Sequence, residues 1–132
     1  MHQKPIETGW LEVICGSMFC GKTEELLRRL RRARIAKLSV IAFKPKIDNR
    51  YSKNMIVSHD KNSLDSIAIE NTKTLFDMGS EYDVVGIDEA QFFSDDLLNT
   101  CKNLAKNKTR VIVAGLDTDY KGLPFGPMPL IM

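Results

Sequence analysis

The chain has 132 residues, 43% of them hydrophobic and 27% charged, and its 19 Lys and Arg against 17 Asp and Glu give a formal net charge of +2. That composition excludes a disordered chain, and the near balance of charge excludes a protein held to nucleic acid mainly by neutralising phosphates. The length fits one domain, no apolar run approaches the roughly 20 residues of a membrane helix, and Met1 to Gly9 predict no secretory signal.

In chain order, the first predicted element is a strand from Trp10 to Cys15, ending at Gly16. A helix follows from Lys22 to about Ala36, with Leu26, Leu30 and Ala33 on one face. Glu24 and Glu25 stand four residues ahead of Arg28 and Arg29, the favourable order for ion pairs. Leu38 to Phe43 is a second strand stopped by Pro45, and the polar stretch Lys44 to Asn54 reads as a loop. Ser66 to Ile69 is a weak strand. Asn71 or Thr72 caps a short helix that runs through Met78 and closes at Gly79. Val84 to Ile87 is a buried strand leading into Asp88 and Glu89. Ser94 or Asp95 caps a helix through about Lys106, with Leu97, Leu98, Cys101, Leu104 and Ala105 as its apolar positions. Arg110 to Ala114 is the last strand, ending at Gly115. Near-continuous Val and Ile runs separated by helices predict strands buried on both faces, hence a parallel α/β sheet. At the far end, Pro129 followed by Leu130, Ile131 and Met132 reads as the first turn of a helix cut short.

Gly16-Ser17-Met18-Phe19-Cys20-Gly21-Lys22-Thr23 satisfies G-x-x-x-x-G-K-[ST] at each required position, between a predicted strand and a predicted helix. The glycines let backbone N–H groups turn toward phosphate oxygens, and the helix N-terminus adds its dipole. Lys22 is placed to neutralise the β- and γ-phosphates of ATP, and Thr23 to offer its hydroxyl to Mg²⁺. The expected fold is therefore a P-loop NTPase of the RecA-like kind, a parallel sheet flanked by helices. Asp88, at the carboxyl end of a buried strand, is placed to hold Mg²⁺ through water. Glu89 beside it can face an acceptor and take its proton. The two motifs together predict phosphoryl transfer or ATP hydrolysis.

Other chemistry-bearing residues take plainer readings. Cys15, Cys20 and Cys101 contain no C-x-x-C pair, which points to a reducing, cytoplasmic compartment and excludes a four-cysteine zinc site within these residues. Cys15 and Cys101 read as buried apolar positions and Cys20 as a small residue of the loop. His59 reads as a loop hydrogen-bonder. Arg28, Arg29, Arg31, Arg32, Arg34 and Lys37 read as a solvated helix face half-compensated by Glu24 and Glu25, so nucleic acid is not an expected partner.

On these motifs the sequence resembles the type II thymidine kinases, from Gly9-Trp10 to Met132. The resemblance rests on the phosphate loop, on Asp48-Asn49-Arg50-Tyr51, on Asp88-Glu89-Ala90-Gln91-Phe92-Phe93, and on Gly115-Leu116-Asp117 with Pro124-Phe125-Gly126. It implies transfer of the γ-phosphoryl group of ATP to the 5′-hydroxyl of thymidine, giving thymidine monophosphate and ADP. It implies Glu89 as general base, Lys22 and Arg50 on the transferring group with Asp48 beside them, and Thr23 and Asp88 at Mg²⁺. ATP would lie along Gly16 to Thr23 and against Asp88, Glu89, Ala90 and Gln91. Met18, Phe92, Leu116, Tyr120 and Phe125 would line the nucleoside pocket, with Phe92 stacked on the base. A cytoplasmic homotetramer is the implied assembly, with no membrane partner. Cys20 stands where the family commonly has Ser or Ala. Family members continue past Met132 into a part with a four-cysteine zinc site and a lasso-like loop. The expectation is therefore a single P-loop kinase core, residues 1–132, without that part and without zinc. Two alternatives remain open at this point: a P-loop ATPase acting on nucleic acid, with Glu89 activating water, and a non-catalytic nucleotide-binding fragment. The aromatic pair Phe92-Phe93 with Arg50 and Phe125 argues against the first, since a water-activating site needs no aromatic pocket.

Overall fold

A computed structural model describes residues 9–16, 21–46, 55–57 and 63–116. Along the chain these form β1 (Leu11–Gly16), α1 (Lys22–Ile35), β2 (Val40–Pro45), β3 (Met55–Val57), β4 (Ser63–Ile69), α2 (Thr72–Gly79), β5 (Val84–Ile87), a 3-10 turn (Ala90–Phe92), α3 (Leu97–Lys106) and β6 (Arg110–Leu116). The sheet order is β1-β6-β5-β2-β4-β3. Five strands are parallel, and β3 alone runs antiparallel, against β4.

Strand periodicity explains the layers. Ile41 and Phe43 of β2, Val85 and Ile87 of β5, and Val111 and Val113 of β6 join one cluster with Leu75 of α2 and Leu97, Cys101 and Leu104 of α3. The intervening residues Ala42, Val84, Ile112 and Ala114 join Leu26, Leu27, Leu30 and Ala33 of α1 on the other face. β2, β5 and β6 thus bury both faces, as their unbroken apolar runs predict. Burial raises the Cys101 thiol to about 12, so it is a packing residue. No helix among the described residues is long and apolar enough to cross a membrane.

On the α1 face of the sheet Ala42, Ala114 and Gly86 leave room for the helix, and Gly86 is the tightest position. A Cβ there would stand 2.7 Å from Leu30 Cδ1, and Leu30 is itself fully buried. Gly86→Ala is expected to destabilise the protein by about 1–3 kcal/mol through overpacking. Urea unfolding should show a lower midpoint with an unchanged slope.

Several element boundaries differ from the sequence expectation. The second strand starts at Val40, because Leu38 still belongs to the end of α1: Lys37 has φ +68°, and the Leu38 N–H donates to Ala33 O at 3.1 Å. Pro45 closes that strand from within. Phe43 O accepts from the Asp88 N–H on the β5 side, and the Lys46 N–H donates to Ile69 O on the β4 side. Alternation aims the missing N–H of Pro45 toward β5, whose register ends at Ile87 opposite Phe43. β3 was not expected, since three residues carry no readable period, and β4 begins at Ser63 rather than Ser66. Of the two cap candidates for α2, Asn71 serves, accepting the Thr74 N–H at 2.9 Å. The N-cap of α3 is Asp96, not Ser94 or Asp95. The Asp96 carboxylate is taken instead by the Ser94 hydroxyl and by the Thr72 hydroxyl at 3.0 Å, which ties α3 to the start of α2.

On the arginine-rich helix Arg28 turns to Glu25, three residues back, rather than to Glu24 as its spacing suggested. Glu25 pairs with both Arg28 and Arg29 at 2.7 Å. Arg29 and Arg110 converge on Glu12, and the Arg110 guanidinium lies 5.5 Å from the Trp10 ring centre. Cys20, His59 and the segment from Pro129 to Met132 lie outside the described residues.

Candidate active site

Parallel pairing brings the carboxyl ends of β1, β6, β5 and β2 to one edge, where open α/β sheets receive ligands. Gly16 ends β1 opposite Leu116, which ends β6. Gly21 then stands at the N-cap of α1 with φ +71°, a conformation that favours glycine. Glycine supplies no side-chain cap, so the first-turn N–H groups that follow, Lys22 and Thr23 among them, form an anion-accepting end.

Thr23 meets the end of β5 directly. Its hydroxyl donates to Asp88 Oδ2 at 3.2 Å, and the Glu89 N–H donates to Asp88 Oδ1 at 2.9 Å. Burial, then the nearby Glu89 carboxylate, push the Asp88 carboxyl up to about 6; the Glu89 N–H, the Thr23 hydroxyl and Lys22 pull it the other way. A buried carboxylate beside a hydroxyl is a hard oxygen pair that suits Mg²⁺. Among the described residues no group of three or more His, Cys, Asp or Glu forms a cage. Thr23 and Asp88 would hold such an ion through these two oxygens.

The same environment makes Asp88 a liability to the unliganded fold. Its pKa is higher folded than unfolded, so the folded state binds the proton more tightly. The stability this brings is fully present below about pH 4 and is lost as pH rises through about 6. The difference between 3.8 and about 6 amounts to about 3 kcal/mol. Asp88→Asn is expected to raise the melting temperature of the nucleotide-free protein at pH 7.5 and to leave it unchanged at pH 4. Thermal unfolding at both pH values checks this.

Glu89 follows with φ +54°, a left-handed conformation rare outside glycine. The reversal sends the chain into the 3-10 turn. It leaves Glu89 exposed, buries Ala90 and Gln91, and presents the Phe92 ring 44% exposed while Phe93 turns into the core. The Gln91 amide Nε2 donates to Glu89 Oε2 at 3.0 Å.

Lys22, Thr23, Asp88, Glu89, Ala90, Gln91 and Phe92 thus gather on the edge that Gly16, Gly21 and Leu116 bound. Ser17, Met18, Phe19, Cys20, Asp48, Arg50, Tyr120 and Phe125 lie outside the described residues. Sequence reasoning missed Lys44. Register carries it one residue past the Phe43–Ile87 pair, level with Asp88. Burial lowers its pKa, and the Asp88 charge acts to raise it. The available signal was a lone charge at the carboxyl end of an apolar run.

A family model described as thymidine kinase matches residues 9–132. The thymidine kinase of Bacteroides fragilis is 56% identical over 129 residues, covering 98% of this chain and 65% of that protein. That of Bacteroides thetaiotaomicron is 57% identical over 127 residues, covering 96% and 64%. The chain therefore spans just under two thirds of the length of these curated relatives. Among solved structures, the flagellar accessory protein FlaH from Methanocaldococcus jannaschii superposes with a TM-score of 0.64 at 19% identity, over 96% of this chain and 68% of that one. That likeness supports the fold alone.

Proposed function

We propose, since this chain belongs to the thymidine kinase family, that the protein of which it forms the P-loop core transfers the γ-phosphoryl group of ATP to the 5′-hydroxyl of thymidine. The observation that carries the reading is the turn after β5. It places an exposed carboxylate, Glu89, between a buried one that faces Thr23 and an exposed aromatic ring, Phe92. Three different chemical needs are met within five residues: a cation ligand, a proton acceptor and a stacking surface.

In this reading Lys22 and the first-turn N–H groups of α1 bind the β- and γ-phosphates. Thr23 and Asp88 hold Mg²⁺, which supplies charge neutralisation on those phosphates when bound. Glu89 accepts the proton of the nucleoside hydroxyl, and Phe92 orients the base against its ring. Arg50 is assigned to the transferring phosphoryl group, and Met18, Leu116, Tyr120 and Phe125 to the nucleoside pocket. A cytoplasmic homo-oligomer is part of the same reading. So is a zinc-bearing part outside these residues.

The test is a phosphotransfer assay of the full-length protein with ATP–Mg²⁺ and thymidine. Thymidine monophosphate should form in step with ADP, and ADP release without nucleoside should be slow. Undiminished ATP hydrolysis without thymidine monophosphate would instead establish a water-activating ATPase.

A further inference from the structure

We propose that Gln91 is a positioning residue that holds the Glu89 carboxylate and decides which of its oxygens takes the proton. This rests on the reading of Glu89 as the base. Three contacts fix Glu89. Its N–H is held by Asp88 Oδ1 at 2.9 Å, its carbonyl accepts the Phe92 N–H at 3.1 Å, and its Oε2 accepts Gln91 Nε2 at 3.0 Å. The first two set the backbone, including its left-handed φ of +54°. The side chain is exposed and would otherwise sample several rotamers. Gln91 is only 4% exposed, so its amide donor sits on the packed 3-10 turn rather than on a mobile tip.

The consequence is chemical as well as steric. The amide bond to Oε2 draws charge from that oxygen and fixes the plane of the carboxylate, so Oε1 is the more basic oxygen and takes the proton. The hydroxyl O–H bond of the acceptor breaks, and its proton passes to Oε1. The acceptor oxygen forms its bond to the γ-phosphorus. The bond from that phosphorus to the β–γ bridging oxygen breaks, and the electron pair leaves with ADP. Gln91 touches none of the reacting atoms in this arrangement and acts through Glu89.

The experiment is a double-mutant cycle in the full-length protein, with Gln91→Met, Glu89→Gln and the pair, read as kcat and KM for ATP and thymidine. Methionine keeps length and removes the donor. Gln91→Leu, which has similar volume and no donor, serves if the Met variant folds poorly. Either substitution should lower kcat by about 10- to 100-fold, the scale of a misplaced catalytic group. Both KM values should stay within about twofold, as expected when an interaction acts on the transition state alone. In the Glu89→Gln background neither should lower kcat further. Equal losses in both backgrounds overturn the proposal, as does a raised KM for ATP at constant kcat, which would make Gln91 an ATP contact. An inactive Glu89→Gln with a fully active Gln91→Met overturns the positioning role alone. Undiminished kcat in Glu89→Gln overturns the base assignment itself.

Discussion

Replacing Glu89 by Gln is expected to lower kcat by about 10² to 10⁴, the range for a positioned general base. The substitution is nearly isosteric, and Glu89 is exposed, so no core contact is lost. Its N–H still donates to Asp88 Oδ1, because that bond comes from the backbone. ATP binding should survive, since Lys22, Thr23 and Asp88 are untouched. Steady-state turnover and an ATP titration on the same preparation separate the two effects. A loss below about threefold would fall outside the range for a base and would move the role to Asp88 or Asp48.

Lys22→Ala is expected to act on the complementary quantity. Removing the ammonium leaves phosphate charge unpaired at the start of α1. A charge-assisted contact of this kind is worth roughly 1.5–3 kcal/mol, or about 10- to 150-fold in affinity. Lys22 also pulls the Asp88 carboxyl downward, so its loss makes the metal-side carboxylate harder to ionise. ATP–Mg²⁺ affinity should therefore fall more steeply in the variant than in the wild type as pH is lowered through 6. Calorimetric titration at two pH values checks both effects, and unchanged affinity at each would contradict the phosphate assignment.

The sheet edge that carries the proposed site was legible because its described parts are written as patterns. The phosphate loop has fixed spacing, and Asp88 ends an apolar run whose burial fixes its strand. The parallel order then brings the ends of β1 and β5 to one edge, separated only by β6. What escaped was local geometry that no pattern encodes. Pro45 was read as a stop, which put Lys44 in a loop. The strand continues because the side that lacks a donor faces an ended neighbour. The Asp96 cap was missed because its neighbours Ser94 and Asp95 are equally good by residue type. The Gln91–Glu89 contact depends on a left-handed glutamate, a conformation that residue identity does not announce. β3 pairs with β4 through only three residues, too few to alternate visibly.

The Leu30–Gly86 contact bears on more than stability. Leu30 lies seven residues, two turns, after Thr23 on the same helix, and Gly86 lies in β5 two residues before Asp88, which directly follows that strand. The absent side chain therefore acts as a shim of zero thickness between the helix that carries the hydroxyl and the strand that carries the carboxylate. Lifting α1 by one methyl group would tilt the Thr23 hydroxyl and the Asp88 carboxylate apart from below, without altering a single atom at the edge. Gly86→Ala should then weaken magnesium-dependent nucleotide binding beyond what its unfolding free energy accounts for. Substitutions on the opposite face of the sheet, such as Val85→Ala, should affect stability alone.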